Sequence, residues 1–306
     1  MWRTVLPAGT AAIAALLGAG FLNALHPALD SVSHFRLHLA ALLALSSFVL
    51  WWRDARVMGF CALFFGMTAL AANIPVGHVF AGSKPPSQNS ATYRLLQINM
   101  LFDNPKRAEL LSFIRSTQAD VVTLEEVNDQ WVRALASLDD LYPNKIICGA
   151  RPEDGVAIFS RLSFGQARTT DCVAERMFVR ASVDFDGKTA VIAATHLRWP
   201  WPFPQFDQID ALAEPIRQLD RNAILAGDFN ATPWSAAVDR IVKRGGLNLV
   251  PSIGPTWLSN HLPASWRFAG LAIDHIMYKG DVVVHSVRKV DAPGSDHLAL
   301  IVEFTP

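Results

Sequence analysis

The chain is short of cysteine and tyrosine, and it has no net charge: three Cys and three Tyr occur in 306 residues, and 27 Lys and Arg balance 27 Asp and Glu. So few cysteines, with no Cys-His cluster, exclude a zinc module and a fold built on disulfides. Cys61 lies inside an apolar run and reads as packing. Cys148 and Cys172 would be free to pair in an oxidising compartment if the fold brings their α-carbons within about 7 Å, a distance that sequence leaves open. A basic excess is missing too. Residues 92–306 carry 22 Lys and Arg against 25 Asp and Glu, so the count gives no sign of the broad cationic face used to grip long nucleic acid. Local patches around Arg176 and Arg180, or Lys243 and Arg244, stay open.

Charge is absent altogether from residues 5–25, 37–52 and 57–80. About 20 apolar residues at 1.5 Å rise cross a bilayer core, so three transmembrane helices are predicted over these ranges, the second a short one. A cleaved signal peptide fits the first segment less well, because its only preceding charge is Arg3 and two further apolar segments follow. Core helices of a soluble domain fit less well too, since polar residues at helical spacing are too few to give a wet face. Arg3 before the first span, and Arg53 and Arg56 between the second and third, predict a cytoplasmic N-terminus. Three crossings then place everything after residue 80 outside, which predicts a multi-pass inner-membrane protein with a periplasmic or extracellular domain. Trp2, Trp51 and Trp52 sit where interfacial aromatics belong. Residues 81–92, rich in Pro and Ser, read as a linker, and residues 93–306 suffice for one domain.

That domain shows a series of polar groups that each follow an apolar, strand-like run. Gly227-Asp228-Phe229-Asn230 follows Ala223-Ile224-Leu225-Ala226. Before it come Gln97-Ile98-Asn99, Leu124-Glu125-Glu126-Val127 and Thr195-His196-Leu197; after it come Ile273-Asp274-His275-Ile276 and Ser295-Asp296-His297-Leu298. Asp and Asn after Gly also suit an ordinary turn, and each histidine alone reads equally as a bonded strand-end residue. It is the ordered set that carries chemistry. Hydrolysing a phosphoester at neutral pH needs a divalent cation, a held water, and donors around the phosphoryl oxygens. Carboxylates, Asn and His at strand ends supply those groups.

The ordered set resembles the endonuclease/exonuclease/phosphatase superfamily, which includes DNase I-like nucleases, apurinic-site endonucleases, inositol polyphosphate 5-phosphatases and bacterial sphingomyelinases. The resemblance covers roughly residues 92–306. It implies an α/β fold, a four-layer α/β/β/α sandwich of the DNase I-like type. This agrees with the many Val- and Ile-rich strands and the helices read at 105–118, 206–219 and 235–243. It implies that Glu126, Asp296 and Asn99 surround a magnesium or manganese ion. By the same resemblance Asp228 orients and deprotonates the attacking water, Asn230 and His196 contact the phosphate, and His297, held by Asp274, stabilises the phosphoryl group. Glu125 stands where many relatives carry Gln, and Leu101 replaces an acid that the apurinic-site enzymes have two positions after the Asn. His275 reads as structural.

The function expected is a membrane-tethered, metal-dependent phosphodiesterase. Its substrate is either nucleic acid or a phospholipid headgroup, its other partner is the bilayer, and no protein partner is read. The alternative is a binding or scaffold protein that kept the fold and lost the chemistry. The stretch Arg198-Trp199-Pro200-Trp201-Pro202-Phe203-Pro204 is a stiff aromatic loop beside the site. Its rings would stack bases, grip a lipid or pack on the core.

Overall fold

The computed structural model describes residues 2–73, 91–149, 155–165, 171–173, 175 and 177–306. Nearly all of the expected 81–92 linker, the last part of the expected 57–80 span and Arg176 lie outside the described residues. The chain opens with helices α1 (Trp2–Gly20), α2 (Pro27–Ser33), α3 (Arg36–Trp52) and α4 (Arg56–Asn73). Leu17, Ala40, Leu43, Leu50, Ala62 and Ala69 form their shared core. Gly59 and Gly66 let α4 lie close on α3: a Cβ on Gly66 would sit 2.9 Å from the Ala40 carbonyl oxygen. Leu42, Leu45, Phe48, Phe60 and Phe64 point outward, exposed.

Three spans at 5–25, 37–52 and 57–80 are not what this region supports. Among the described residues one helix, Arg56–Asn73, qualifies by length and composition to cross a membrane; Pro27–Ser33 and Arg36–Trp52 qualify only as a pair bent by 60°, and the apolar part of the first helix is Val5–Gly20. The first prediction ran too long because lack of charge continues past Gly20 while the helix does not. Residues 21–25 form turns, and the Asn23 amide bonds to the Trp234 carbonyl at 2.9 Å.

Two six-stranded sheets build the rest. The first holds β1 (Tyr93–Asn99), β2 (Val121–Glu125), β3 (Asn144–Cys148), β4 (Val156–Ser160), β11 (Val283–Asp291) and β12 (Leu298–Thr305), in the order β11-β12-β1-β2-β4-β3. The second holds β5 (Asp171–Val173), β6 (Phe178–Phe185), β7 (Lys188–His196), β8 (Ala223–Asp228), β9 (Asn248–Leu249) and β10 (Asp274–Lys279), in the order β5-β6-β7-β8-β10-β9. Leu95, Ile158, Val179, Ile192, Ile224 and Val302 fill the space between the sheets. Helices α5 (Arg107–Thr117) and α6 (Asp129–Leu135) cover the first sheet through Leu110, Ile114 and Trp131. Helices α7 (Gln205–Ala211), α8 (Ala213–Arg217) and α9 (Ala236–Gly245) cover the second through Ile209, Ile216 and Ile241. This is the expected α/β/β/α sandwich. The helix expected over 206–219 is split in two, because Pro215 has no N–H to continue it. The disulfide Cys148–Cys172, with α-carbons 5.5 Å apart, ties edge strand β3 of one sheet to edge strand β5 of the other.

Side chains alternate between the faces of a strand, and this decides where the polar residues go. In β1, Leu96 and Ile98 pack under the helices while Leu95 faces the other sheet, so Gln97 and Asn99 also face inward. The same period turns Glu125, His196, Asp228 and Asp274 inward on β2, β7, β8 and β10. β1 and β2 are parallel, as are β7 and β8, so these residues collect at one end of the sandwich.

The N-terminal region docks on the domain. Buried Asp30 accepts hydrogen bonds from Ser235 Oγ (2.7 Å) and from the backbone N–H of Ala236 (2.8 Å) and Ala237 (3.2 Å), capping α9 from outside its own segment. Trp234 Nε1 donates to the Ser33 carbonyl at 2.7 Å, and His38 Nε2 contacts the Ala269 carbonyl at 2.8 Å.

Candidate active site

Asp228 is the centre of the site. Its strand pairs with β7 and β10 so that His196 and Asp274 flank it in register. Gly227 precedes it at φ +151°, where a Cβ would lie 1.9 Å from the Thr195 carbonyl oxygen, so only glycine brings the chain this close to β7. Asn230 follows in the left-handed region, and its N–H closes on Asp228 Oδ1 at 2.8 Å.

Three side chains converge on Asp228 Oδ2. Asn99 Nδ2 donates to it at 3.0 Å from the other sheet, while His196 Nε2 and His297 Nε2 each stand 3.6 Å away. His297 Nδ1 bonds Asp274 Oδ2 at 2.9 Å, and the Thr256 hydroxyl accepts from the Asp274 N–H at 3.2 Å. Asn230 Nδ2 donates to the Leu197 carbonyl at 2.8 Å and lies 3.3 Å from His196 Nε2. The five expected catalytic residues, His196, Asp228, Asn230, Asp274 and His297, are therefore brought together.

Charges in this buried cluster shift strongly. Burial pushes Asp228 up to about 6, against the pull of His297. Burial alone would lower His297, but Asp274 and Asp228 override it and raise it to about 10. Asp274 also feels burial first, yet His297 holds it below the ordinary carboxylate range. At neutral pH the site thus contains an imidazolium clamped to a carboxylate, with a second carboxylate poised to exchange a proton.

The expected metal ligands sit beside this cluster. Glu126 follows the last residue of β2 at φ +61°, in the left-handed region, so it turns out of the strand that holds Glu125. It accepts from Asn99 Nδ2 at 2.9 Å and from the Phe102 N–H at 2.8 Å. Burial raises its pKa, with neighbouring Asp296 adding to the rise. Asp296 accepts from Trp257 Nε1 at 2.8 Å. Asn99 turns its amide nitrogen, not its oxygen, toward the carboxylates, while Oδ1 accepts from the Leu101 N–H at 3.0 Å. It therefore ties Glu126 to Asp228 across the two sheets.

The donor set fits a hard divalent cation: Glu126 and Asp296 are carboxylates in mutual repulsion, and among the described residues no Lys or Arg bonds either carboxylate group, Arg267 reaching only the Asp296 backbone carbonyl at 3.1 Å. Asp228, Asp274 and His297 also offer ligand atoms within 4.8 Å of one another. There, however, Asp274 and Asp228 raise His297 to about 10, and a protonated imidazole has no lone pair to offer a cation.

Gln97 and Trp257 are site residues that the sequence reading did not assign. Gln97 Nε2 bridges Glu125 Oε2 (2.9 Å) and Asp274 Oδ1 (3.0 Å). Its place two before Asn99 on the same strand face was the available signal. Glu125 is fully buried in this network, and burial holds its carboxyl well above the usual range. Nothing local marks Trp257, whose partner Asp296 is remote in sequence. His275 is structural as expected, with Nε2 on the Ala231 carbonyl at 2.7 Å and its ring against Phe229.

The model of the Endonuclease/Exonuclease/phosphatase family matches residues 96–297, from β1 to the site histidine. The chain belongs to this family. Solved structures with the same fold include TDP2 of D. rerio complexed with a single-strand DNA product, at 17% identity and TM-score 0.58, covering 71% of this chain and 100% of that one. A second is the 3' phosphatase NExo from Neisseria bound to a product DNA hairpin, at 17% identity and TM-score 0.57, covering 70% and 100%. A third is a beta toxin mutant from Staphylococcus aureus with bound magnesium ions, at 16% identity and TM-score 0.52, covering 69% and 99%. No curated protein matches the sequence significantly.

Proposed function

We propose that this family member is a divalent-cation-dependent phosphoester hydrolase held at a membrane by its N-terminal helices. The observation that carries the reading is Asp228, buried and raised to about 6, at the meeting point of His196, His297 and Asn99. A scaffold has no use for such a cluster, and burying it costs stability. A bound Mg2+ or Mn2+, held by Glu126 and Asp296, would neutralise charge on the phosphoryl oxygens.

The chain's own groups do the rest. Asp228 orients the attacking water and takes its proton; a base with a pKa near 6 is ionised at neutral pH yet strong enough to accept it. His297, kept cationic by Asp274, donates from Nε2 to a phosphoryl oxygen. Asn230 and His196 hold the phosphate on the β8 side. Asn99 keeps Glu126 and Asp228 at a fixed separation, which is the positioning that phosphoryl transfer demands.

The substrate is a phosphodiester. The DNA products bound by TDP2 and NExo favour nucleic acid. The N-terminal helices favour a lipid headgroup, as does the excess of acidic over basic residues in the domain. The exposed apolar surfaces of α3 and α4 support a bacterial inner-membrane setting, and the Cys148–Cys172 bridge supports an oxidising, periplasmic side. The test is hydrolysis of bis(p-nitrophenyl) phosphate, plasmid DNA and phospholipid vesicles by the full-length protein, with magnesium or with chelator. Turnover that appears only with the cation supports the reading; turnover indifferent to the chelator, or none on any substrate, refutes it.

A further inference from the structure

The aromatic loop after His196 closes one side of a cleft of about 210 Å³. Trp201, Phe203, Pro204, Phe206 and, at its exposed edge, Asp207 line it from the domain, and Pro27 at the start of α2 lines it from the N-terminal region. Trp201 and Phe203 are 53% and 57% exposed, an unusual cost for two large rings unless something apolar covers them. Ser31 Oγ bonds the Trp201 carbonyl at 3.2 Å, so α2 and the loop hold a fixed relation. Arg240 lies 4.0 Å over the Phe206 ring and fixes that wall from behind.

The cleft shares its frame with the phosphate site. Gln205 Nε2 donates to the carbonyls of Arg198 (2.8 Å) and Phe229 (3.1 Å), and Gln208 Nε2 donates to that of His196 (2.9 Å). The same short helix that forms the cleft floor therefore holds the strand ends carrying His196 and Asn230. The cleft is thus tied to the phosphate site through the backbone that carries His196 and Asn230, and Pro27 sets it against the N-terminal helices.

We propose that this cleft is a binding subsite for the alkyl chain of an amphiphilic phosphoester, so that the site acts on a lipid-type substrate. The proposal rests on the hydrolase reading above and narrows its substrate class. Each methylene that enters an apolar subsite raises affinity by up to about fourfold.

The test compares methyl and octyl p-nitrophenyl phosphate with the full-length protein in phosphatidylcholine nanodiscs. In both, water adds at phosphorus and the bond to p-nitrophenolate breaks, so one colour readout serves. The native protein should favour the octyl ester at least about tenfold in kcat/KM, through KM. In the Trp201→Ser, Phe203→Ser double variant the preference should fall to near parity, with methyl ester turnover unchanged as the control for folding. No alkyl preference in the native protein overturns the inference while leaving the hydrolase intact. So does a preference that survives in the variant, or parallel loss of both esters. A native protein inert toward the methyl ester refutes the hydrolase reading and this inference with it.

Discussion

Replacing Asp274 with Asn tests the electrostatic core of the site. Asn keeps the size of the side chain, and its amide oxygen can still accept from Gln97, whose bond to Asp274 Oδ1 is 3.0 Å. What disappears is the negative charge beside His297 Nδ1. The native His297 is raised from 6.5 to about 10, with Asp274 the largest raising influence and Asp228 the next. A rise of that size corresponds to roughly 5 kcal/mol between the two charge states, so loss of the larger partner should cost about 2–4 kcal/mol of stability. The sign follows from the direction of each shift. A raised histidine stabilises fully below its unfolded pKa and loses that contribution as pH climbs toward 10; the lowered Asp274 contributes only above its unfolded pKa. The deficit of the variant should therefore be largest between about pH 4 and 6.5 and shrink toward pH 10. Urea unfolding at pH 5.5, 7.5 and 9.5 measures it. In parallel, the alkaline limb of the rate profile, expected near pH 10 in the native protein because His297 is raised to about 10, should move to lower pH in the variant. A deficit that grows with pH, or an alkaline limb that stays in place, refutes the reasoning.

Other outcomes follow from single contacts. Gly227→Ala forces a Cβ to within 1.9 Å of the Thr195 carbonyl oxygen and should cost more than about 2 kcal/mol, read as a lower urea midpoint with site activity lost. Opening the Cys148–Cys172 bridge with Ser at both positions frees two sheet edges and should lower stability by about 3 kcal/mol, again by urea unfolding. Asp30→Ala leaves Ser235, Ala236 and Ala237 without the carboxylate they donate to. It should speed hydrogen exchange in residues 235–240 about tenfold, for a lost cap of roughly 1–2 kcal/mol.

Much of the site was legible in the sequence because its residues stand at the ends of apolar strands, where period 2 fixes the face each one occupies. Asn99, His196, Asp228 and Asp274 are all of this kind. What was not legible depends on partners remote in the chain. Trp257 is tied to the site only through Asp296, and the capping of α9 by Asp30 joins residues more than two hundred positions apart. Strands β3, β5 and β9 carry the weakest sequence signal, because they are half-exposed or very short and alternate little. The membrane reading went astray in the number of spans as well as in their boundaries, since absence of charge marks an apolar segment but not where its helix stops or bends.

The most direct test of the account compares the native protein with Asp228→Asn and Glu126→Gln for magnesium binding by calorimetry and for turnover of bis(p-nitrophenyl) phosphate. Asp228→Asn should bind magnesium within a few-fold of native and lose at least about a hundredfold in kcat, as removal of a general base requires. Glu126→Gln should lose magnesium affinity first. Near-native turnover by Asp228→Asn, or unchanged magnesium binding by Glu126→Gln, would contradict the roles assigned to this site.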